Sequence, residues 1–123
     1  MAHQLKQWPD DVYPAEAEEF PEAGADIDTA LRELQRQGPS PLGYHVKNLG
    51  KTKNGLWQLN LKVRHGQIRI LYAPYKGFIV VFKIHKKGSP HEQQAAYQVA
   101  MARKKEADNL MKGGMHVGAL TIH

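Results

Sequence analysis

Two neighbouring segments of the chain alternate apolar and polar residues with a period of two, which favours a β-hairpin over other local structures. In residues 56–64, Trp57, Leu59, Leu61 and Val63 lie on one face and alternate with the polar residues at 58, 60, 62 and 64. In residues 67–72, Ile68, Ile70 and Tyr72 lie on one face and alternate with Gln67, Arg69 and Leu71. Because successive side chains of a strand point to opposite faces, the pattern predicts two strands that share one buried face.

The register predicted for this hairpin places two positive charges side by side. His65-Gly66 fits a two-residue loop because glycine readily adopts a positive φ, and this loop pairs Lys62 with Arg69 on the polar face. Like charges directly opposite each other cost roughly 0.2–1 kcal/mol. Either both side chains extend into water and the repulsion is tolerated, or Lys62, Arg64 and Arg69 converge on a bound phosphate that offsets it. We favour the phosphate because the surrounding sequence is so basic.

Charges are segregated along the chain. Residues 1–33 contain nine acidic and two basic residues, a net charge of −7, whereas residues 34–123 contain fifteen basic and three acidic residues, a net charge of +12. Between Glu33 and Glu92 there is no acidic residue. Protein surfaces normally mix both signs because unrelieved repulsion lowers stability. The basic stretch therefore predicts a polyanionic partner, unless the acidic N-terminal segment folds back and neutralises it, and both can hold in part.

Two amphipathic segments predict helices. The first has helical spacing of its apolar residues Ile27, Ala30, Leu31 and Leu34. Asp26 or Asp28 is its expected N-cap, and Gly38 its expected end. The second begins with the capping box Ser89-Pro90-His91-Glu92 and is expected to run to about Met111.

A third strand is predicted over residues 78–84, which are mostly apolar. If Phe78, Val80 and Phe82 join the apolar face of the hairpin, Lys83 and His85 share the face of Arg69. The expected fold class is α+β, with an N-terminal helix region, an antiparallel twisted sheet of three to four strands and a C-terminal helix. We expect one domain over residues 1–123, with an acidic arm at 1–25 and a tail at 115–123.

Composition and short motifs argue against several classes of protein. The chain has no cysteine, so it has no disulfide, zinc–thiolate site or thiol nucleophile. No apolar run approaches the roughly 18 residues that span a bilayer. The first residues, Met1-Ala2-His3-Gln4, lack the basic and apolar regions of a secretory signal. We therefore expect a cytoplasmic protein. The histidines lack metal-ligand spacing and no glycine-rich nucleotide loop occurs, so we expect no metal and no cofactor.

Five short motifs occur in an order that resembles the RelE/HigB superfamily of toxins from toxin–antitoxin systems. They are Leu49-Gly50, the strand from Gly55 to Leu59, the strand from Ile68 to Tyr72, Lys86-Lys87, and Pro90 at the start of the last helix. The resemblance covers about residues 27–107 and is strongest to the HigB-like branch often found in phages and prophages. It implies a RelE-like fold. Asn60 departs from the pattern, since the family usually has arginine there.

The resemblance implies a ribosome-dependent endoribonuclease that cuts mRNA without a metal ion. A ribose 2′-hydroxyl would attack the adjacent phosphate and leave a 2′,3′-cyclic phosphate, which requires a proton acceptor, a proton donor and fixed positive charge. Arg69 is the candidate for charge stabilisation because its planar guanidinium fits two phosphate oxygens. His85 is the candidate acid or base because imidazole titrates near physiological pH. Lys62 and Lys86 complete the candidate catalytic set, with Lys62 as an alternative base.

Six further basic residues are candidates for binding the RNA backbone by charge. They are Lys47, Lys51 and Lys53, which are expected in a loop, together with Arg64, Lys83 and Lys87. The plainer interpretation is that these lysines only solvate strand ends and that His85 is an ordinary surface histidine. The expected partners are mRNA on the ribosome, with rRNA contacts, and a cognate antitoxin that covers the basic face.

Two other functions stay open at this point. One is a ParE-type toxin, which has the same fold but acts on DNA gyrase and needs no catalytic basic cluster. The other is a non-catalytic accessory protein that binds nucleic acid, which the departure at Asn60 favours.

Overall fold

Six strands form one sheet in the computed structural model of the protein, which describes residues 3–122, and an α-helix packs on each face. The strand order is β2-β3-β4-β5-β1-β6. The elements are β1 Gln4–Gln7, α1 Gly24–Gln37, β2 His45–Asn48, β3 Trp57–Val63, β4 Gly66–Tyr75, β5 Phe78–Lys86, α2 Pro90–Lys112 and β6 Gly118–Ala119. The predicted α+β class is confirmed, but the predicted number of three to four strands is wrong.

The extra strands come from the chain ends and from one segment predicted as a loop. Strand β1 pairs in parallel with β5, and β6 pairs antiparallel with β1, so both the arm and the tail add to the sheet. Strand β2 pairs with β3 and carries Lys47, which was wrongly expected in a loop. These strands have two to four residues each, too few to produce a readable alternation.

The β3–β4 hairpin is two residues out of its predicted register. Its loop is Arg64-His65, and Gly66 pairs with Val63 inside the ladder. Lys62 therefore lies opposite Gln67, while Arg69 lies opposite Asn60, so the predicted pairing of two like charges is wrong. A shift of two residues leaves every side chain on its original face, which is why the apolar face was still predicted correctly.

One face of the sheet packs against α1. The four helix residues predicted to be apolar contacts, Ile27, Ala30, Leu31 and Leu34, are fully buried against β3, β4 and β5. The helix begins at Gly24, and its N-cap position is Ala23, which has no side-chain hydrogen bond. The predicted cap at Asp26 or Asp28 is therefore wrong. Both aspartates lie inside the first turns of the helix.

The other face of the sheet is covered by α2. Three alanines of α2, including Ala100 and Ala107, are buried on this side, and their small size brings the helix close to Leu71 and Phe82. The predicted capping box is confirmed, since the Glu92 amide donates to Ser89 Oγ and the Ser89 amide donates to Glu92 Oε1, both at 3.2 Å. No helix within residues 3–122 is long and apolar enough to cross a bilayer.

A β-bulge changes which residues of β5 face α2. Leu71 pairs with Lys83 but Tyr72 pairs with Val81, so the alternation of β5 is interrupted at this point. Val80 and Phe82 consequently pack on the α2 side, as does Phe78, so the prediction that these three residues join the apolar face of the hairpin is wrong. His85 still lies directly opposite Arg69, on the face that α2 covers.

Candidate functional site

Four polar side chains form a row across four adjacent strands, on the face that α2 covers. The register pairs His45 with Asn60, Asn60 with Arg69, and Arg69 with His85. Residues directly opposite each other have Cβ atoms about 4.5–5.5 Å apart. The row therefore places a guanidinium group between an amide and an imidazole on one surface.

Arg69 is a buried cation without a counter-ion. The residue is only 9% exposed. Nη1 donates to the Gln93 side-chain oxygen and, at 3.5 Å, to the Tyr97 hydroxyl, while the buried Nε has no hydrogen-bond partner. Within residues 3–122, no carboxylate oxygen lies within 4.0 Å of this guanidinium. Burying an unpaired charge is costly, so its presence here favours a role in binding an anion.

His85 is a buried imidazole that stays neutral. The residue is 8% exposed, and burial lowers the pKa of the imidazole to about 4, with smaller contributions from the positive charges of Arg69 and Lys83. A hydrogen bond with the Lys86 backbone opposes this lowering of the pKa. The buried Nε2 atom has no hydrogen-bond partner. At physiological pH the ring is therefore uncharged.

Two residues of α2 close over the row. The Tyr97 hydroxyl donates to the Gln58 side-chain oxygen at 2.8 Å, and the Gln58 amide donates to Asn60 at 2.9 Å. The Gln93 amide donates to the Gly88 carbonyl at 3.0 Å, which fixes its oxygen on Arg69. Sequence reasoning assigned no role to these neutral residues, although Gln58 lies within the motif from Gly55 to Leu59, and no charge or motif marks Gln93 or Tyr97. The spacing of Gln93 and Tyr97, one helical turn apart, is the only signal that the chain offered.

Exposed cations surround the open end of the row. Lys62 lies two pairs beyond Asn60 toward the hairpin loop, on the same face, and is exposed. The Lys87 amide donates to the Gln67 carbonyl, opposite Lys62, at 2.8 Å. An open cleft of 570 Å³ is lined by His45, Asn60 and Lys62. On the far side, the Lys53 ammonium lies 5.5 Å from the centre of the Tyr97 ring. The structure thus brings Lys62, Lys87 and Lys53 to the borders of the Arg69–His85 pair.

Residues 5–111 match the family model described as "Phage derived protein Gp49-like (DUF891)". The chain belongs to the Gp49-like family. This family is part of the RelE/HigB-like toxin superfamily and is associated with the toxins of toxin–antitoxin systems. Neither a curated protein nor a solved structure matches the chain significantly. The predicted RelE/HigB-like superfamily is confirmed, and the family description is consistent with the predicted phage-derived branch, while the narrower HigB assignment stays a prediction.

Three of the predicted basic residues lie away from the row in this Gp49-like protein. Lys86 pairs with Ile68, so it lies on the α1 side with the exposed Arg64 rather than beside Arg69. Lys51 lines a separate groove beside α2. The structure therefore does not bring Lys86 together with the other three candidate catalytic residues. Among residues 3–122, no three His, Asp or Glu side chains are grouped as a metal site requires.

The acidic arm neutralises part of the basic stretch through Glu16. This carboxylate accepts hydrogen bonds from the Ile84 amide at 3.0 Å and from Arg103 at 2.7 Å, and it pairs with Lys83 at 3.6 Å. Arg103 also donates to the Phe82 carbonyl at 2.7 Å, so the arm, β5 and α2 are joined at one point. The arm contacts the border of the candidate site, but α2 is the element that covers Arg69.

Proposed function

We propose that this Gp49-like protein is the toxin of a type II toxin–antitoxin system and that it cuts mRNA on the ribosome without a metal ion. Membership of a toxin family supports the first part. The observation that carries the second part is the Arg69–His85 pair, in which a guanidinium and a neutral imidazole lie side by side, each with a buried nitrogen that has no partner.

The chemistry assigned to this pair is attack of the ribose 2′-hydroxyl on the adjacent phosphate. The bond between O2′ and phosphorus forms as the bond between phosphorus and O5′ breaks, which gives a 2′,3′-cyclic phosphate and a free 5′-hydroxyl. His85 Nε2 takes the proton of the 2′-hydroxyl, and Arg69 stabilises the charge on the pentacoordinate phosphate. The leaving O5′ takes its proton from Lys62, the exposed cation at the open end of the row.

RNA must displace part of α2 to reach this pair. Gln93 holds the position on Arg69 that a phosphate oxygen would occupy, and an ionised phosphate is a stronger hydrogen-bond acceptor than an amide. The strand would enter through the open cleft at His45, Asn60 and Lys62. Displacement of the first turns of α2 would have to break the hydrogen bonds that hold Gly88 and Ser89, in the link between β5 and α2.

Expression in bacteria tests the proposal. Wild-type protein is expected to arrest growth and to produce mRNA ends in phase with codons, whereas Arg69→Met and His85→Asn are expected to do neither. Arg36→Met is the matched control, because Arg36 is exposed and pairs only with Glu33 on α1. Codon-phased ends that persist in Arg69→Met would refute the assignment of Arg69.

A non-catalytic role in binding nucleic acid is the second candidate function. It is favoured by the burial of Arg69 and His85 beneath α2 and by Asn60 at the centre of the row. This candidate predicts RNA binding without growth arrest or cut mRNA. A ParE-type toxin would instead produce gyrase-dependent DNA breaks, which the same cells would reveal.

A further inference from the structure

A small cavity lies on the α1 side of the sheet, away from the Arg69–His85 pair. Within the described residues, three segments of the chain line it. Glu19, Phe20, Glu22 and Ala23 of the acidic arm provide one wall, while the loop end of the β3–β4 hairpin and Lys86 of β5 together provide the other. Its volume is 130 Å³.

The size of the cavity and the apolar side chains that form part of its lining favour a single apolar side chain as its occupant. A dry cavity of roughly 150 Å³ holds a benzene-sized molecule, whereas binding sites for small organic ligands have roughly 300–1,000 Å³. The apolar part of the lining is formed by Phe20, Val63 and Ile68. Phe20 and Val63 are half-buried and pack against the main core, so an inserted aliphatic group would complete their burial.

The two walls carry opposite charges. Glu19 and Glu22 lie on the arm side, and Arg64 and Lys86 lie on the strand side. Among the described residues, these four side chains form no ion pair within 4.0 Å. Their charges are therefore available to groups that flank an inserted side chain, as in interfaces where polar residues surround a buried apolar anchor.

We propose that this cavity is an anchor site for a protein partner. The partner inserts one branched aliphatic side chain from an extended segment, with a basic residue on the side of Glu19 and Glu22 and an acidic residue on the side of Arg64 and Lys86. Complementarity to the two walls fixes the side on which each charge lies but not the direction of the partner chain, so both orders of charge along the chain are tested. That the partner is the antitoxin rests on the proposed function, but the binding of such a segment does not.

Occupation of the cavity would also change the basic surface. Arg64 and Lys86 would be covered and paired with the acidic residue of the partner, so they could no longer contact RNA. Lys62 lies on the opposite face of the same hairpin. A segment anchored at this cavity would thus lower the affinity for RNA without touching the Arg69–His85 pair.

Titration of the full-length protein with short peptides tests the proposal. The probes are blocked peptides with the central sequences Lys-Leu-Glu and Glu-Leu-Lys, and a Ser-Leu-Ser peptide as the uncharged control, followed by amide chemical shifts in ¹H–¹⁵N spectra. One charged peptide is expected to produce saturable shifts at residues 19–23 and 63–66. The double variant Glu19→Lys/Glu22→Lys is expected to weaken this binding by about tenfold or more. The variant Glu18→Lys is the matched control, since Glu18 is exposed on the same arm but does not line the cavity.

The same spectra show whether each variant is folded, so a failure to fold cannot imitate a loss of binding. Shifts that do not saturate, or that are equal in both lysine variants, would overturn the proposal. Cleavage of ribosome-bound mRNA by Glu19→Lys/Glu22→Lys is expected to match wild type, because neither glutamate belongs to the catalytic set. If the protein does not cleave mRNA, saturable binding of the peptide is still expected. If the peptide does not bind, cleavage of mRNA is still expected.

Discussion

Replacing Arg69 with methionine is expected to stabilise the fold while it abolishes function. Arg69 is 9% exposed, and among residues 3–122 its guanidinium has only the neutral partners Gln93 and Tyr97. Residues held for function often lower stability, because an apolar residue would suit the same position better. Methionine fills a similar volume and adapts to irregular space, so the substitution leaves no large cavity.

The expected gain in stability is the difference between the loss of a hydrogen bond and the removal of a buried charge. Removal of the charge-assisted hydrogen bond to Gln93 costs about 1.5–3 kcal/mol. Removal of a buried, uncompensated charge recovers several kcal/mol, since the desolvation penalty of an ion in a protein interior has that size. Gln93 and Tyr97 keep their other hydrogen bonds, to Gly88 and Gln58. We therefore expect the free energy of unfolding to rise by about 1–3 kcal/mol and Tm by about 4–10 °C.

Urea denaturation and thermal melting of both proteins measure this change. The matched control Arg36→Met removes an exposed arginine and should change the free energy of unfolding by less than about 0.5 kcal/mol. A loss of more than about 1 kcal/mol in Arg69→Met would refute the reasoning, because it would make the guanidinium part of the structural framework.

Three further predictions concern residues around the pair. Burial lowers the pKa of His85 to about 4, so as the pH falls the unfolded chain binds this proton at a higher pH than the folded protein does. The free energy of unfolding should therefore fall by about 3 kcal/mol between pH 6.5 and pH 4, as measured by equilibrium unfolding at several pH values. An equal dependence of the free energy of unfolding on pH in His85→Asn would contradict this. Gln93→Ala should raise the affinity for inorganic phosphate several-fold by releasing Arg69, as measured by calorimetry, and unchanged affinity would show that Gln93 does not compete. Glu16→Gln should lower the free energy of unfolding by about 1–3 kcal/mol, because Arg103 and Lys83 lose a partly buried carboxylate, and the same loss in the exposed Glu18→Gln would contradict this.

The sequence predicted most of the elements because their signals are local. The alternation in β3 and β4 and the capping box at Ser89 depend on neighbouring residues only. The error in register preserved the faces, since a shift of two residues does not exchange them. In the true register Gly66 lies inside the ladder opposite Val63, with a φ of +134°, whereas the pattern had placed it in the loop.

The candidate site was predicted only in part, because only some of its residues are marked by a local pattern. Arg69 and His85 were assigned to one face from alternation, and the structure pairs them directly. The cover provided by α2 was not predicted, because its inner face consists largely of alanines such as Ala100 and Ala107, which give a weak apolar stripe. The neutral residues Gln93 and Tyr97 reach Arg69 through tertiary packing alone, so no short-range pattern marks them.

The central claim is that the Arg69–His85 pair cuts RNA, and cleavage of mRNA on purified ribosomes tests it most directly. Wild-type protein is predicted to release fragments that end in a 2′,3′-cyclic phosphate, while folded Arg69→Met and His85→Asn release none above background. Intact mRNA with the wild-type protein, or equal cleavage by all three proteins, would contradict the account.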